Sequence, residues 1–176
     1  LVKVDETRSL SGYEKVEFIS DYTFKKADKT EEEYLNTTLA LGNNKTNYTN
    51  ITKKNFDNKN TPLILNYNLN IDNYAKTVAN KTYINLDIDR TLSQSKIDIK
   101  DRKFSKKIDH KFKKKFITTL KIPEGFKASD MPDELSYNNP KFGFNISYSQ
   151  EGNIITQHKY IYINTLSVDN SEFKTW

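Results

Sequence analysis

Between Leu63 and Ile71 the chain reads LILNYNLNI, with Leu63, Leu65, Tyr67, Leu69 and Ile71 at one parity and Asn66, Asn68 and Asn70 at the other. A period of two over nine residues is what a strand with one buried and one wet face produces. The same alternation predicts strands at Leu1–Thr7, Tyr13–Tyr22, Tyr83–Ile88, Lys96–Lys100 and Phe116–Ile122. In Tyr13–Tyr22, Val16 and Phe18 oppose Lys15 and Glu17. The turn pair Ser11-Gly12 then joins Leu1–Thr7 to Tyr13–Tyr22 as a hairpin. A second hairpin is predicted from Phe142–Ser149 and Ile154–Ile163, which flank Gln150-Glu151-Gly152-Asn153.

One segment carries helix signals. Thr30 stands at a cap position, Glu33 completes a capping box, and Glu31 to Glu33 load the first turn with negative charge. Tyr34, Leu35, Leu39 and Leu41 form a modest apolar stripe, and Gly42 stands where a helix stops. Pro123-Glu124-Gly125 and Pro132 mark a loop before the final hairpin. Short strands, frequent turns and a single helix predict a mainly β fold. We expect an antiparallel β-sandwich, immunoglobulin-like or related, with one short α-helix around residues 30–41. We expect a single β-rich domain over 1–176, with a division into two packed sub-domains placed near residues 89–95. The chain opens at Leu1 with no charged-then-apolar leader, which reads as a fragment of a longer protein.

Composition narrows the chemistry. Hydrophobic residues are scarce at 35%, but eleven Tyr and ten Phe supply large buried areas in their place. The twenty Asn fit codon bias in an AT-rich genome. Cysteine is absent, which excludes disulfides, a thiolate nucleophile and Cys-ligated zinc within this chain. His110 and His158 lack partners at metal-ligand spacing and are expected on strand surfaces. There is no G-x-S-x-G elbow and no Gly-rich phosphate loop. We therefore expect no catalytic residues, no metal, no cofactor and no independent enzyme activity. No apolar run approaches the ~20 residues of a transmembrane helix.

Charge raises a sharper question. Asp101–Phe116, DRKFSKKIDHKFKKKF, holds eight basic and two acidic residues, a net +6, while the whole chain carries +5. All the net positive charge is therefore local. Read as a strand, Phe104, Ile108, Phe112 and Phe116 fall at one parity, whereas Lys107, Lys111, Lys113 and Lys115 fall at the other. A helix is the competing reading, but spacing by four drifts about 40° per step around a helix. The strand parity sends rings to the core and lysines to water. Binding of single-stranded nucleic acid needs both on one surface, so we expect no nucleic-acid partner. The lysine face is expected to be solvated and to deter edge pairing. Any partner it takes is anionic, through Lys107, Lys111, Lys113 and Lys115.

Taken in order, several segments resemble a known family: EEEYLNTTLALGNN, TPLILNYNLNIDNYAKTVANKTYINLDIDR, DRKFSKKIDHKFKKKFITTLKIPEGFKASDMPDEL and FGFNISYSQEGNIITQHKYIYINTLSVDNSEFKTW. Together they are similar to the C-terminal β-rich domain of unknown function found in transglutaminase-like proteins of Bacteroidetes bacteria. The resemblance rests on Arg102-Lys103-Phe104, on the Ile122-Pro123-Glu124-Gly125-Phe126 turn, on Met131-Pro132, and on the aromatic close at Phe173 and Trp176. Ser105 departs from it, standing where a proline is expected. The resemblance implies a non-catalytic accessory domain beside an upstream papain-like Cys-His-Asp core of the same polypeptide, exported to the periplasm or cell surface and monomeric. The alternative is a free-standing β-sandwich module that binds glycan or another cell-envelope ligand.

Overall fold

The computed structural model describes residues 1–38, 45–90, 92, 95 and 103–174. It divides the chain into two units, Leu1–Ile88 and Asp89–Trp176. In the first unit, β1 (Val2–Leu10), β2 (Thr46–Lys54) and β3 (Leu63–Ile71) form an antiparallel sheet with β3 in the centre. Helices α1 (Gly12–Lys26) and α2 (Glu31–Thr38) cover one face, and a small hairpin of β4 (Lys76–Val78) and β5 (Lys81–Tyr83) follows.

The alternation of β3 is realised completely. Leu63, Leu65, Tyr67, Leu69 and Ile71 are all buried, and with Tyr34, Leu35 and Tyr48 they form the core of this unit. Each such side chain contributes about 1.5–3 kcal/mol by leaving water. The wet face is also organised. Thr7 donates to Asn66 Oδ1 at 2.8 Å, Asn50 donates to Asn68 Oδ1 at 2.6 Å, and the Asn68 amide donates to Asp5. Asparagines that composition alone assigns to codon bias thus tie three strands together. Asn50, at φ 55°, sits in the bulge where the β2–β3 register shifts.

The helix predicted around 30–41 is present as α2, and its capping box is formed. Thr30 N–H donates to Glu33 Oε2 at 2.8 Å, and Glu33 N–H donates to Thr30 Oγ1 at 3.2 Å. Leu39, Leu41 and Gly42 lie outside the described residues.

The hairpin predicted at Leu1–Tyr22 is overturned. Val2–Leu10 is a strand, but it pairs with β3, and Tyr13–Tyr22 lies inside helix α1. So the described residues hold two α-helices, where one was expected. The inward side chains of α1 are Lys15, Phe18, Ile19 and Tyr22, spaced i, i+3, i+4, i+7, while Val16 is 63% exposed. The apparent alternation of Lys15, Val16, Glu17 and Phe18 could not separate the two periods, because the helical one begins on a lysine. Lys15 is buried, and its ammonium donates to the carbonyls of Asn55, Asn58 and Thr61.

The strand predicted over Tyr83–Ile88 ends at Tyr83. The Asn85 side chain accepts from Asp87 N–H at 2.9 Å, and Ile88 N–H donates to Leu86 O at 3.0 Å. These local bonds satisfy backbone groups that a ladder would otherwise use. The strand predicted at Lys96–Lys100 lies outside the described residues.

The second unit is built on a four-stranded antiparallel sheet in the order β7-β10-β9-β8. Its strands are β7 (Phe112–Lys121), β8 (Leu135–Asn138), β9 (Phe142–Glu151) and β10 (Ile154–Ile163). A two-stranded sheet pairs β6 (Lys106–Lys107) with β11 (Ser167–Val168). β9 and β10 form the predicted hairpin, with Gly152 at φ +58° in its two-residue turn. Gly125, at φ +83°, makes the Pro123–Phe126 turn, closed by Phe126 N–H donating to Pro123 O at 3.2 Å. Phe142, Ile163, Val168 and Phe173 form the core of this unit.

The fold is mainly β; the described residues form several antiparallel sheets and no barrel, consistent with a β-sandwich. Among the described residues no helix is long and apolar enough to cross a membrane.

Candidate functional site: the outward face of the four-stranded sheet

The basic run becomes a strand with the expected parity. Along β7 the even positions Phe112, Lys114, Phe116, Thr118 and Leu120 are half-buried, and the odd positions Lys113, Lys115, Ile117, Thr119 and Lys121 are exposed. Lys107, Lys111, Lys113 and Lys115 are all exposed, but the structure does not gather them equally. Lys113 and Lys115 stand on the outward face of the large sheet, and Lys111 precedes β7 at the same parity. Lys107 belongs to β6, opposite Ser167, in the two-stranded sheet. Phe104 is a correction: expected in the core, it is 83% exposed, because it precedes β6 and is not part of a continuous strand through to β7.

On the inward side the rings meet cations as well. Lys159 is buried in the central strand β10, with its ammonium 4.3 Å from the Phe116 ring centroid and donating to Asp89 O. Gln157, also buried, donates to Tyr148 Oη at 3.0 Å. The inward face of this sheet is therefore partly polar, with the Lys159 ammonium and the Gln157 amide nitrogen engaged in structural bonds.

The outward face gains its character from β10. Register places Lys113 opposite Tyr162, Lys115 opposite Tyr160, Ile117 opposite His158, Thr119 opposite Thr156 and Lys121 opposite Ile154. On the other flank, Gly143, Asn145, Ser147, Ser149 and Glu151 of β9 oppose Tyr162, Tyr160, His158, Thr156 and Ile154. Directly opposed side chains in such a pair have Cβ atoms about 4.5–5.5 Å apart. Lysines and tyrosines therefore share one surface. Along β7 parity separates the rings from Lys113, Lys115 and Lys121 but not from Lys114, whose ammonium lies 5.4 Å from the Phe112 ring centroid, and β10 returns rings to the outward lysine side, a signal carried only by pairing.

The aromatic part is built to stay in place. The Tyr160 and Tyr162 rings lie 5.8 Å apart at 35°. Tyr162 Oη donates to Asn139 O at 2.6 Å. Gly143 makes room for that ring, because a Cβ there would stand 2.5 Å from Tyr137 O and 2.7 Å from Tyr162 Oη. Tyr160 is 37% exposed, and among the described residues no carboxylate pairs with Lys113 or Lys115. His158 is exposed on this face, as a strand-surface residue should be. His110 lies before β7, with its ring 6.3 Å from that of Phe112.

Two other clusters deserve comparison. In the first unit Lys53 donates to Tyr22 Oη at 2.6 Å and to the Glu31 carboxylate, and Tyr22 also donates to Glu31 at 2.5 Å. Burial and the neighbouring carboxylate raise the Tyr22 phenol above its ordinary value. An open depression of about 690 Å³ is lined by Lys121, Ile122, Pro123, Glu124, Phe126 and Asn153.

Residues 80–176 match the family DUF3858, described as a domain of unknown function. The chain belongs to this family. The DUF3858 match takes in all of β6 to β11, and so the whole lysine–tyrosine face. No curated protein and no solved structure matches the chain. Of the residues that carried the resemblance seen in the sequence, Arg102 and Trp176 lie outside the described residues, while Phe173 is buried in the core.

Proposed function

We propose that the chain is a non-catalytic accessory domain that acts by interaction, within a transglutaminase-like protein of Bacteroidetes exported to the periplasm or cell surface. The observation that carries the interaction role is the exposed face where Lys113 and Lys115 stand beside Tyr160 and Tyr162. Cations and a rigid aromatic pair on one exposed surface suit recognition more than chemistry. The non-catalytic half is supported by the absence of cysteine from the chain, so the thiol of a papain-like core has to come from another part of the polypeptide. The purified chain, incubated with a glutamine peptide, an amine donor and peptide substrates, is expected to give no turnover above blank. Turnover that co-purifies with the chain overturns this reading.

A second reading has its own support. Clustered tyrosines on one sheet face also fit a free-standing module for glycan or cell-envelope ligands. The complete open reading frame separates the two: an upstream Cys-His-Asp core supports the accessory role, and its absence supports the free-standing module.

A further inference from the structure

We propose that the outward face of β7 and β10 binds an acidic polysaccharide, with Lys113 and Lys115 pairing to carboxylates and Tyr160 packing against a sugar ring. The proposal rests on the interaction function above and names what occupies the face.

Spacing supports it first. Alternate residues of a strand lie about 6.8 Å apart and adjacent strands about 4.8 Å apart. Lys113, Lys115, Tyr160 and Tyr162 therefore outline a patch on the scale of one or two sugar rings, with both ammonium groups reaching beyond it. Charge supports it next. Lys113, Lys115 and Lys121 line β7, whereas Glu134 and Glu151 belong to the β8–β9 side and Asp109 lies before β7. Glu134 accepts from Asn145 Nδ2 at 2.7 Å on the β8 side, and Glu151 flanks Ile154 at the hairpin end. The β7–β10 half is left cationic and complementary to an anionic chain.

The remaining groups decide which anion. Around the cations lie neutral hydroxyls (Thr119, Thr156, Ser147 and Ser149), which match the hydroxyls of a sugar. Tyr162 is held by Gly143 beneath it and by Asn139, and it buttresses Tyr160, so little side-chain entropy remains to be lost on binding. A strand of nucleic acid fits less well. It asks for successive stacking rings in a basic groove, usually with arginine for its phosphates. Among the described residues this face offers the Tyr160 ring and the His158 imidazole rather than a run of stacking rings, and carries no arginine.

The test is a calorimetric titration of the full chain with polygalacturonate at low and high salt, with dextran and oligo-dT as comparison ligands. Polygalacturonate is expected to bind, more weakly at high salt, and dextran is not. Tyr160→Ala should weaken binding about tenfold. Lys113→Glu with Lys115→Glu should remove the salt-dependent part, while Lys3→Glu with Lys76→Glu in the first unit should leave affinity unchanged. Unfolding midpoints verify that each variant is folded. Equal loss in the control pair, an unaffected Tyr160→Ala, or no polygalacturonate binding overturns the proposal. Tighter binding of oligo-dT through the same residues also overturns it, yet leaves the interaction function standing. Only turnover by the chain itself removes that function.

Discussion

Replacing Lys15 with Met tests how a buried cation with no carboxylate partner among the described residues is held. Lys15 is 5% exposed, and its ammonium donates to the carbonyls of Asn55 at 2.9 Å, Asn58 at 2.6 Å and Thr61 at 2.8 Å. It stands in the first turn of α1, where the helix dipole opposes a cation by about 0.3–1 kcal/mol. A charge-assisted hydrogen bond contributes about 1.5–3 kcal/mol, so three of them outweigh the dipole. Two effects reduce the net loss in Lys15→Met. Methionine relieves the cost of desolvating the ammonium. Asn55, Asn58 and Thr61 are exposed residues, so water can take over part of the freed carbonyl bonding. We expect a loss of about 2–4 kcal/mol, concentrated in a loosened 55–61 loop. Urea unfolding measures the first, and hydrogen exchange across residues 55–61 relative to β3 measures the second. A Met variant as stable as the parent, with unchanged exchange in that loop, would refute the reasoning. It would mean that desolvation cancels the three bonds and that other contacts hold the loop.

Gly143→Ala should cost about 1–3 kcal/mol in thermal unfolding, since its Cβ would press on Tyr137 O and the Tyr162 ring; an unchanged midpoint would show that the ring moves aside freely. Thr30→Ala should cost about 1 kcal/mol by removing the side-chain half of the α2 capping box, and Thr30→Ser should restore most of it. Burial opposes ionisation of Glu31, but hydrogen bonds from Lys53 and Tyr22 outweigh it and hold the carboxyl below its ordinary 4.5. A lowered folded value means that Glu31 contributes stability above the unfolded value, and that this is lost as pH falls through the folded one. Glu31→Gln should therefore be less stable at neutral pH and flatten the acid limb below about 4.5; an acid limb identical to the parent's counts against this.

Much of the fold is present in local pattern. The alternation of Leu63–Ile71, the Gly152 turn between β9 and β10, the Thr30–Glu33 box and the parity of β7 all read directly from residues a few positions apart. Each concerns groups whose geometry is set by the backbone period or by a short turn, so sequence spacing stands for distance. Helix α1 is where this fails. Its inward stripe runs through Lys15, and a lysine reads as solvent-facing until the carbonyls of Asn55, Asn58 and Thr61, some forty residues away, are seen to receive it. Asn66 and Asn68 likewise look like bias until Thr7, Asn50 and Asp5 arrive beside them. The candidate site is the clearest case. Sequence alone determined that Lys113 and Lys115 face water, because parity along one strand is a local property. Only tertiary structure placed Tyr160 and Tyr162 beside them, because the β7–β10 register joins positions more than forty residues apart, and no local period encodes which residue will lie opposite.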